Sequence, residues 1–321
     1  MKYADVCILE KTSFNKDYYT YSIPPELEKS LKPHQIVTVP FGKKLAKGVV
    51  VALKSSSDYK TKAIKELMVN FPIVTGEQVE LLDWMTNFYF TPIPMVMKLL
   101  VPKSFPKSLE SFPRPLAQKL VLIPTPNFDL SEVTTESSTP QVFHHGLSLS
   151  EKQKIWTGVY TGKQSLIIGT RSALFLPFHG LKEILILASE NDYYTDKKSP
   201  YFNATQVAVK LAKIWNAKLE VRYDPTFKKE LDERQSLDLP PFRDLLSLTP
   251  VSQSNKTPSL SESLYLSLKS EIAKQQSPIK IYRSRTEKNI PEIFLSGPKL
   301  HSFLKTAPKG WRVKVYYLNI N

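Results

Sequence analysis

Three short apolar runs, Leu120–Ile123, Leu166–Ile168 and Ile184–Leu187, constrain the middle of this chain more than any other feature. They alternate with the helix-like stretches Ser150–Trp156 and Ala204–Trp215. Strand and helix in turn imply parallel strands joined by crossover helices, an α/β lobe over residues 116–225. Before it, Ala4–Leu9, Tyr18–Ile23, Ile36–Pro40 and Gly48–Leu53 are β-branched or aromatic runs separated by Pro, Lys and Gly turns, the spacing of a small barrel. Thr75–Leu100 then has helical spacing at Val79, Leu82, Met85, Phe88 and Tyr89, broken by Pro92 and Pro94. A proline-rich connector, Pro102–Pro115, closes this first part. Ser131–Pro140 reads as a surface loop. From Glu230 onward, paired hydrophobic segments fit a small α+β domain interrupted by a polar loop at Thr249–Ser263. The expected organisation is thus α/β multi-domain, with parts at 1–105, 116–225 and 230–321.

Composition excludes several classes. A length of 321 residues with 41% hydrophobic and 23% charged residues suits a multi-part globular chain. The sequence has no run of eighteen apolar residues, and MKYADVCILEKTS lacks a long apolar core before a cleavage site, which argues against membrane insertion and export. The single Cys7 rules out an internal disulfide and a cysteine-rich zinc site, and its surroundings read as a buried strand. Forty-four Lys and Arg against thirty Asp and Glu give a net charge of +14, which attracts polyanions. Residues 255–321 hold twelve of those cations and four Glu, a net of +8. Within them Lys280, Arg283, Arg285 and Lys288 interleave with Tyr282, a composition suited to phosphates and stacked bases; a solvated basic face is the other reading.

Catalytic signatures are incomplete. A phosphate-binding loop needs G-x-x-x-x-G-K-[ST], because backbone amides wrap the phosphates while Lys and a hydroxyl reach phosphate and metal. The nearest candidate among ten glycines, Gly158 to Gly162-Lys163-Gln164, is one residue short, ends in Gln, and lies between a helical pattern and a strand. The third apolar run ends in Ala188-Ser189-Glu190-Asn191, where a nucleic-acid-dependent ATPase needs paired carboxylates for magnesium and water. Glu190 and Asp192 alone read as a solvated strand end rather than a cation site. His144-His145 are adjacent and so poorly placed for one metal, and the sequence has no G-x-S-x-G elbow.

The words GTRSALFLPF at Gly169–Phe178 and SPYFNATQVAV at Ser199–Val209 closely resemble the first motor lobe of the PriA-type replication-restart helicases, also called primosomal protein N′. QKLVLIP at Gln118–Pro124 is similar to the family's strand after its first motor helix, and ELDERQSLDLPPFRDLLSL at Glu230–Leu248 to the start of its C-terminal domain. His144–Ser148 resembles the family's HSGLS loop. Relative to the family, the phosphate-binding loop, second motor lobe and zinc region are missing, so its ATP, magnesium and zinc are expected to be lost and the lobe to survive as a degenerate scaffold. Near the N-terminus Tyr19–Pro24 (YTYSIP), Val39–Gly42 (VPFG), Gly48–Val51 and Lys62–Lys65 match, in order, the family's domain that holds the 3′ end of a nascent strand.

The resemblance implies roles for single residues. Tyr19, Thr20, Gly42 and Lys62, with Tyr21 in the same motif, correspond to the family's 3′-end pocket. An aromatic face can stack a terminal base, a hydroxyl bond a base edge, glycine let backbone approach, and lysine pair with phosphate. Read without the family, Tyr19 is a core residue and Gly42 a turn. A second implied site docks the acidic tail of single-stranded-DNA-binding protein. Trp84 and Phe88 stand at i, i+4, and Lys288 and Glu292 occupy the places of the family's Arg and Gln. Lysine lacks the bidentate fork, and Glu292 repels an acidic tail.

The expected function is therefore a cytoplasmic, nucleoid DNA-binding protein of the PriA type, without its own ATPase motor. It would engage forked or single-stranded DNA with a 3′ end during replication restart and primosome assembly, with single-stranded-DNA-binding protein and other primosome proteins as partners. The alternatives are an ATP-dependent 3′–5′ helicase of the primosome and a structural bridging subunit that does not bind DNA.

Overall fold

The computed structural model describes residues 1–10, 17–106, 109, 117–130, 140–198, 200–223, 227–237, 243–251, 257–286, 289–305 and 307–317. It is a mixed α/β chain that divides into two compact units. One holds Met1–Thr86, Thr91–Tyr194 and Val207–Arg222, the other Asn87–Phe90, Thr195–Gln206 and Tyr223–Asn321.

The first unit opens with strands β1 (Tyr3–Ile8), β2 (Tyr19–Ser22), β3 (Ile36–Phe41), β4 (Lys44–Lys54) and β5 (Glu66–Leu67). They form an antiparallel sheet in the order β2-β1-β4-β3-β5. Alternation decides which side chains make its core: Ala4, Val6 and Ile8 pack with Tyr21, Val37, Val39 and Val50, and the partly buried Tyr19 and Phe41 join them. Cys7 is buried, and burial pushes its thiol up to about 12, which leaves it a packing residue. Edge strand β2 is tied to the segment before β5 by a parallel bridge, Ser22 to Ala63, in which Ser22 N donates to Lys62 O and Ile64 N to Ser22 O, both at 3.0 Å.

Two helices follow, α1 (Gly76–Phe88) and α2 (Ile93–Leu100), separated where the sequence places Pro92. Thr75 and Gln78 cap α1 reciprocally: Gln78 N donates to Thr75 Oγ1 and Thr75 N to Gln78 Oε1. Gln78 Nε2 donates to Phe175 O at 2.8 Å, linking the helix to the GTRSALFLPF segment.

The parallel sheet of this unit consists of β6 (Gln118–Leu122), β7 (Gln141–Phe143), β8 (Leu166–Gly169), β9 (Leu181–Ile186) and β10 (Lys218–Val221), in the order β10-β9-β6-β8-β7. Helix α3 (Leu149–Tyr160) leads into β8, and α4 (Ala204–Trp215) into β10. Gln118, 1% exposed, fastens the start of β6: its amide donates to Val159 O and Gln164 O, and its carbonyl accepts from His179 N and Gly180 N. Every hydrogen-bonding position of this buried amide is satisfied. Gly169 is required by crowding, since a Cβ there would stand 2.6 Å from Ala173 Cβ and 2.7 Å from Phe143 O.

In the second unit α5 (Phe227–Ser236) precedes β11 (Leu245–Pro250), α6 (Thr257–Lys274), β12 (Lys280–Arg285), β13 (Pro291–Ser296), α7 (Leu300–Leu304) and β14 (Trp311–Tyr317). The strands form an antiparallel sheet in the order β12-β13-β11-β14. The polar loop expected at Thr249–Ser263 is corrected here, because β11 runs to Pro250 and α6 starts at Thr257. The inner positions of α6 follow helical spacing, Thr257, Ser261, Leu264, Leu268 and Ile272, and the first two are small and polar, so an apolar pattern emerges only from the third. The loop expected at Ser131–Pro140 lies, but for Pro140, outside the described residues, as does much of Pro102–Pro115. Among the described residues no helix is long and apolar enough to cross a membrane.

Candidate nucleic-acid interface

A cavity of about 850 Å³ opens at the β2 edge of the antiparallel sheet. Its walls come from Asp17–Tyr21, from Pro40–Gly42, from Lys54 and from Ser56–Lys62. Tyr19, Thr20, Tyr21, Gly42 and Lys62 all border it, so residues up to 43 positions apart share one depression (62 − 19). Sheet geometry accounts for the convergence. Phe41 and Lys44 pair across the β3–β4 hairpin, leaving Gly42-Lys43 as a two-residue turn, and Gly42 takes φ +60, which a side chain would strain. The Ser22–Ala63 bridge brings Lys62 to the same place, and its Nζ donates to Gly42 O at 3.3 Å.

Strand β2 presents two different faces to the cavity. Tyr19 and Tyr21 lie on the core side. Tyr19 meets Phe41 edge to face at 5.3 Å, and Tyr21 OH donates to Pro40 O at 3.1 Å. Burial, helped by Tyr19, pushes the Tyr21 hydroxyl up to about 12, so it stays a neutral donor. Thr20 points to the opposite side, where Thr20 Oγ1 donates to Asp5 Oδ1 at 2.7 Å. The second Asp5 oxygen pairs with Lys54 Nζ at 2.5 Å, and that ammonium lies over the Tyr18 ring at 5.8 Å. The bond to Asp5 holds the Lys54 ammonium above its ordinary range.

Sequence reasoning missed Asp5, Tyr18, Lys54, Tyr59 and Lys60 in this region. One signal was present: Asp5 is the single charge within the buried strand YADVCI, and a buried charge is more informative than an exposed apolar residue. Tyr18 and Tyr59 are 45% and 81% exposed, so the cavity has aromatic groups at its rim as well as in its wall.

The other residues singled out from sequence fall in different surroundings. Edge strand β12 is almost wholly exposed, and alternation separates Lys280 and Tyr282 from Arg283 and Arg285. Arg283 pairs with Glu262 of α6 and lies over Tyr265 at 4.4 Å, while Arg285 Nη1 donates to Asn289 Oδ1 at 2.8 Å. Lys288 lies outside the described residues. Trp84 and Phe88 both belong to α1; Trp84 is half-buried, whereas Phe88 is buried and stacks on His301 at 6.1 Å.

The Gly158–Gln164 segment does not fit a phosphate cradle. It is the C-terminal turn of α3, where Gly162 N donates to Val159 O and Gln164 N to Gly158 O, so these amides face carbonyls. Ala188-Ser189-Glu190-Asn191 forms a turn after β9 with Ala188 at φ 47. Asn191 Oδ1 accepts from Tyr193 N, and Arg171 of GTRSALFLPF donates to Tyr193 O at 2.6 Å. Tyr194 OH sits against Leu122 O and Leu187 O. His144 Nδ1 accepts from Gly146 N. Among the described residues no three His, Cys, Asp or Glu side chains gather as a metal site requires.

Comparison with known proteins returns to the first segment. Residues 8–102 match the family model of the PriA 3′DNA-binding domain. The chain is 25% identical to replication restart protein PriA of Rickettsia conorii over 249 residues, 59% of this chain and 38% of that protein. It is 31% identical to the Synechocystis PriA over 158 residues, 43% of this chain and 19% of the relative. With the Bacillus subtilis PriA it shares 37% identity over 71 residues, 22% and 9% of the two chains. The chain thus spans well under half the length of these curated relatives, and the resemblance to PriA read from its motifs is borne out.

Proposed function

We propose that this chain is a PriA-type DNA-binding protein that seats the 3′ end of a strand in the cavity beside β2 and recognises branched DNA during replication restart and primosome assembly, acting in the cytoplasm. The observation that carries the reading is the convergence of Tyr19, Thr20, Gly42 and Lys62 on one cavity inside the segment that matches a 3′DNA-binding domain. The tyrosine stacks the terminal base, the Gly42 turn admits close backbone approach, and Lys62 pairs with phosphate.

The proposed layout has three parts. Residues 1–105 form a small barrel with its helices, a reading supported by the Ser22–Ala63 link between two edges of the first sheet. Residues 116–225 are a degenerate motor lobe acting as scaffold, and 230–321 a basic DNA-contacting domain through Lys280, Arg283, Arg285 and Lys288. The chain has no ATPase motor of its own, supported by the α3 turn at Gly158–Gln164 and by Ala188-Ser189 at the end of β9. ATP, magnesium and zinc are not its cofactors. Trp84, Phe88 and Lys288 are the candidate contacts for the tail of single-stranded-DNA-binding protein.

The deciding experiment is a titration of forks that differ only in a free 3′-hydroxyl or a 3′-phosphate. A clear preference for the free hydroxyl is expected, and equal affinities would reduce the protein to generic polyanion attraction. ATP turnover stays at background with and without DNA; DNA-stimulated turnover lost in Lys163→Ala would restore the helicase reading.

A further inference from the structure

One hydrogen bond in the cavity wall has a direction fixed by chemistry. Asp5 and Thr20 are direct partners across β1 and β2, with Thr20 Oγ1 at 2.7 Å from Asp5 Oδ1. The carboxylate is 3% exposed as a residue and is ion-paired with Lys54 at 2.5 Å. An ionised carboxylate only accepts, and a threonine hydroxyl has a single hydrogen, so that hydrogen lies on the bond to Asp5. What Thr20 presents to the cavity is its lone pairs. Charge assistance makes this bond stronger than a neutral one, so the hydroxyl does not turn round for a ligand.

We propose that Asp5 sets the chemical polarity of the pocket: it holds Thr20 as a hydrogen-bond acceptor, so that the pocket selects a terminal nucleotide presenting a donor there. A strand end offers the 3′-hydroxyl and the N–H groups of the terminal base, of which the exocyclic amine is present in cytosine and absent from thymine. An acceptor-only end, such as a 3′-phosphate, would set lone pair against lone pair and leave Thr20 unpaired. Asp5 is a positioning residue in this scheme, acting through Thr20 from beneath the wall. Its second oxygen faces Lys54, so the same carboxylate offsets that cation and leaves Lys60 and Lys62 as the lysines of the wall open to phosphate. The inference rests on the 3′-end reading above and deepens it by naming the chemistry of the terminus.

The test uses the full chain and four forks whose leading-strand ends are 3′-hydroxyl or 3′-deoxy, with terminal deoxycytidine or thymidine. Removing the donor that faces Thr20 weakens wild-type binding roughly three- to tenfold, the effect of one hydrogen bond. Sensitivity to the 3′-deoxy end assigns the donor to the hydroxyl, and sensitivity to thymidine assigns it to the amine. In Thr20→Val the ratio collapses toward one, in Thr20→Ser it is kept, and in Asp5→Asn, whose amide donates as well as accepts, it narrows. Because each ratio is taken within one variant, a loss of folded protein lowers both affinities alike and leaves the ratio intact. Equal wild-type affinity for all four forks, an undiminished ratio in Thr20→Val, or a full ratio in Asp5→Asn overturns the proposal. A fifth DNA with the strand continuous through the junction separates the two levels. No preference for a free end over the continuous strand defeats the 3′-end reading itself, whereas a preference that ignores Thr20 and Asp5 defeats only this inference.

Discussion

Strands β2 and β12 are both edge strands carrying aromatic and hydroxyl residues, yet their side chains are held in opposite ways. Beside β2, Tyr19 and Tyr21 are anchored in the core, Asp5 sits beneath Thr20 and Lys54, and the Ser22–Ala63 bridge closes the edge. Along β12, Lys280, Tyr282, Arg283 and Arg285 stand in solvent, and the best-held of them, Arg283, is engaged by Glu262. Exposed Lys and Arg on a sheet edge also serve simply to block edge-to-edge pairing. Local charge density favours β12, whereas the buried carboxylate and the convergent segments are at β2. Under the proposed function, the first edge would recognise an end and the second attract a backbone.

The sharpest way to break this comparison is to remove one ring from each edge. Tyr19→Ala costs about 1–3 kcal/mol of end-dependent binding if the ring stacks a base, whereas Tyr282→Ala, at a residue 50% exposed, leaves end preference unchanged. Fluorescence titration of the two variants against the free-end fork checks it, and equal losses would erase the distinction.

Salt dependence sharpens the contrast next. Lys62→Met lowers the slope of log K against log salt by about 0.7–0.9, one phosphate contact. Lys54→Met leaves the slope near wild type, because Asp5 already faces that cation. A reversed pair of slopes would exchange the roles of the two lysines. At the other edge, Arg283→Ala with Arg285→Ala lowers the slope by about one contact rather than two, since Arg283 is shared with Glu262. An unchanged slope returns β12 to a solvated face.

The smallest effect is a pH dependence of stability. The Lys54 ammonium is held above its ordinary value of 10.5 by Asp5, so the folded state binds that proton more tightly than the unfolded chain. Its contribution is fully present below about pH 10.5 and disappears as pH rises through the elevated folded value. The Tm gap between wild type and Lys54→Met should stay constant from pH 7 to about pH 10 and close only above that. Closure near neutral pH would mean that the pair does not form in solution.

Periodicity made much of the fold legible. The helix Ala204–Trp215 coincides with α4, the four N-terminal runs lie on β1 to β4, and the three apolar runs become parallel neighbours in one sheet. Helix α6 escaped because Thr257 and Ser261 occupy its inner face where apolar residues would have revealed the period. Strand β7 is only three residues long, too short to show any alternation. The motif order likewise identified Tyr19, Thr20, Gly42 and Lys62 as a set, and the absence of a phosphate-binding glycine pattern needed no coordinates.

Tertiary structure alone decided what those residues face. The Thr20–Asp5 bond depends on the β1–β2 register, and the Asp5–Lys54 pair on a β1–β4 register that shifts between Asp5 and Val6. A sequence reports how often a side chain turns inward, because burial follows the local period of strand or helix. It does not report which residue lies opposite, because pairing across strands is fixed by turns, bulges and bridges between distant segments. The amino-acid sequence thus determined most of the elements and the family of motifs, while the register determined that Thr20 meets a carboxylate and Lys54 is neutralised beside it.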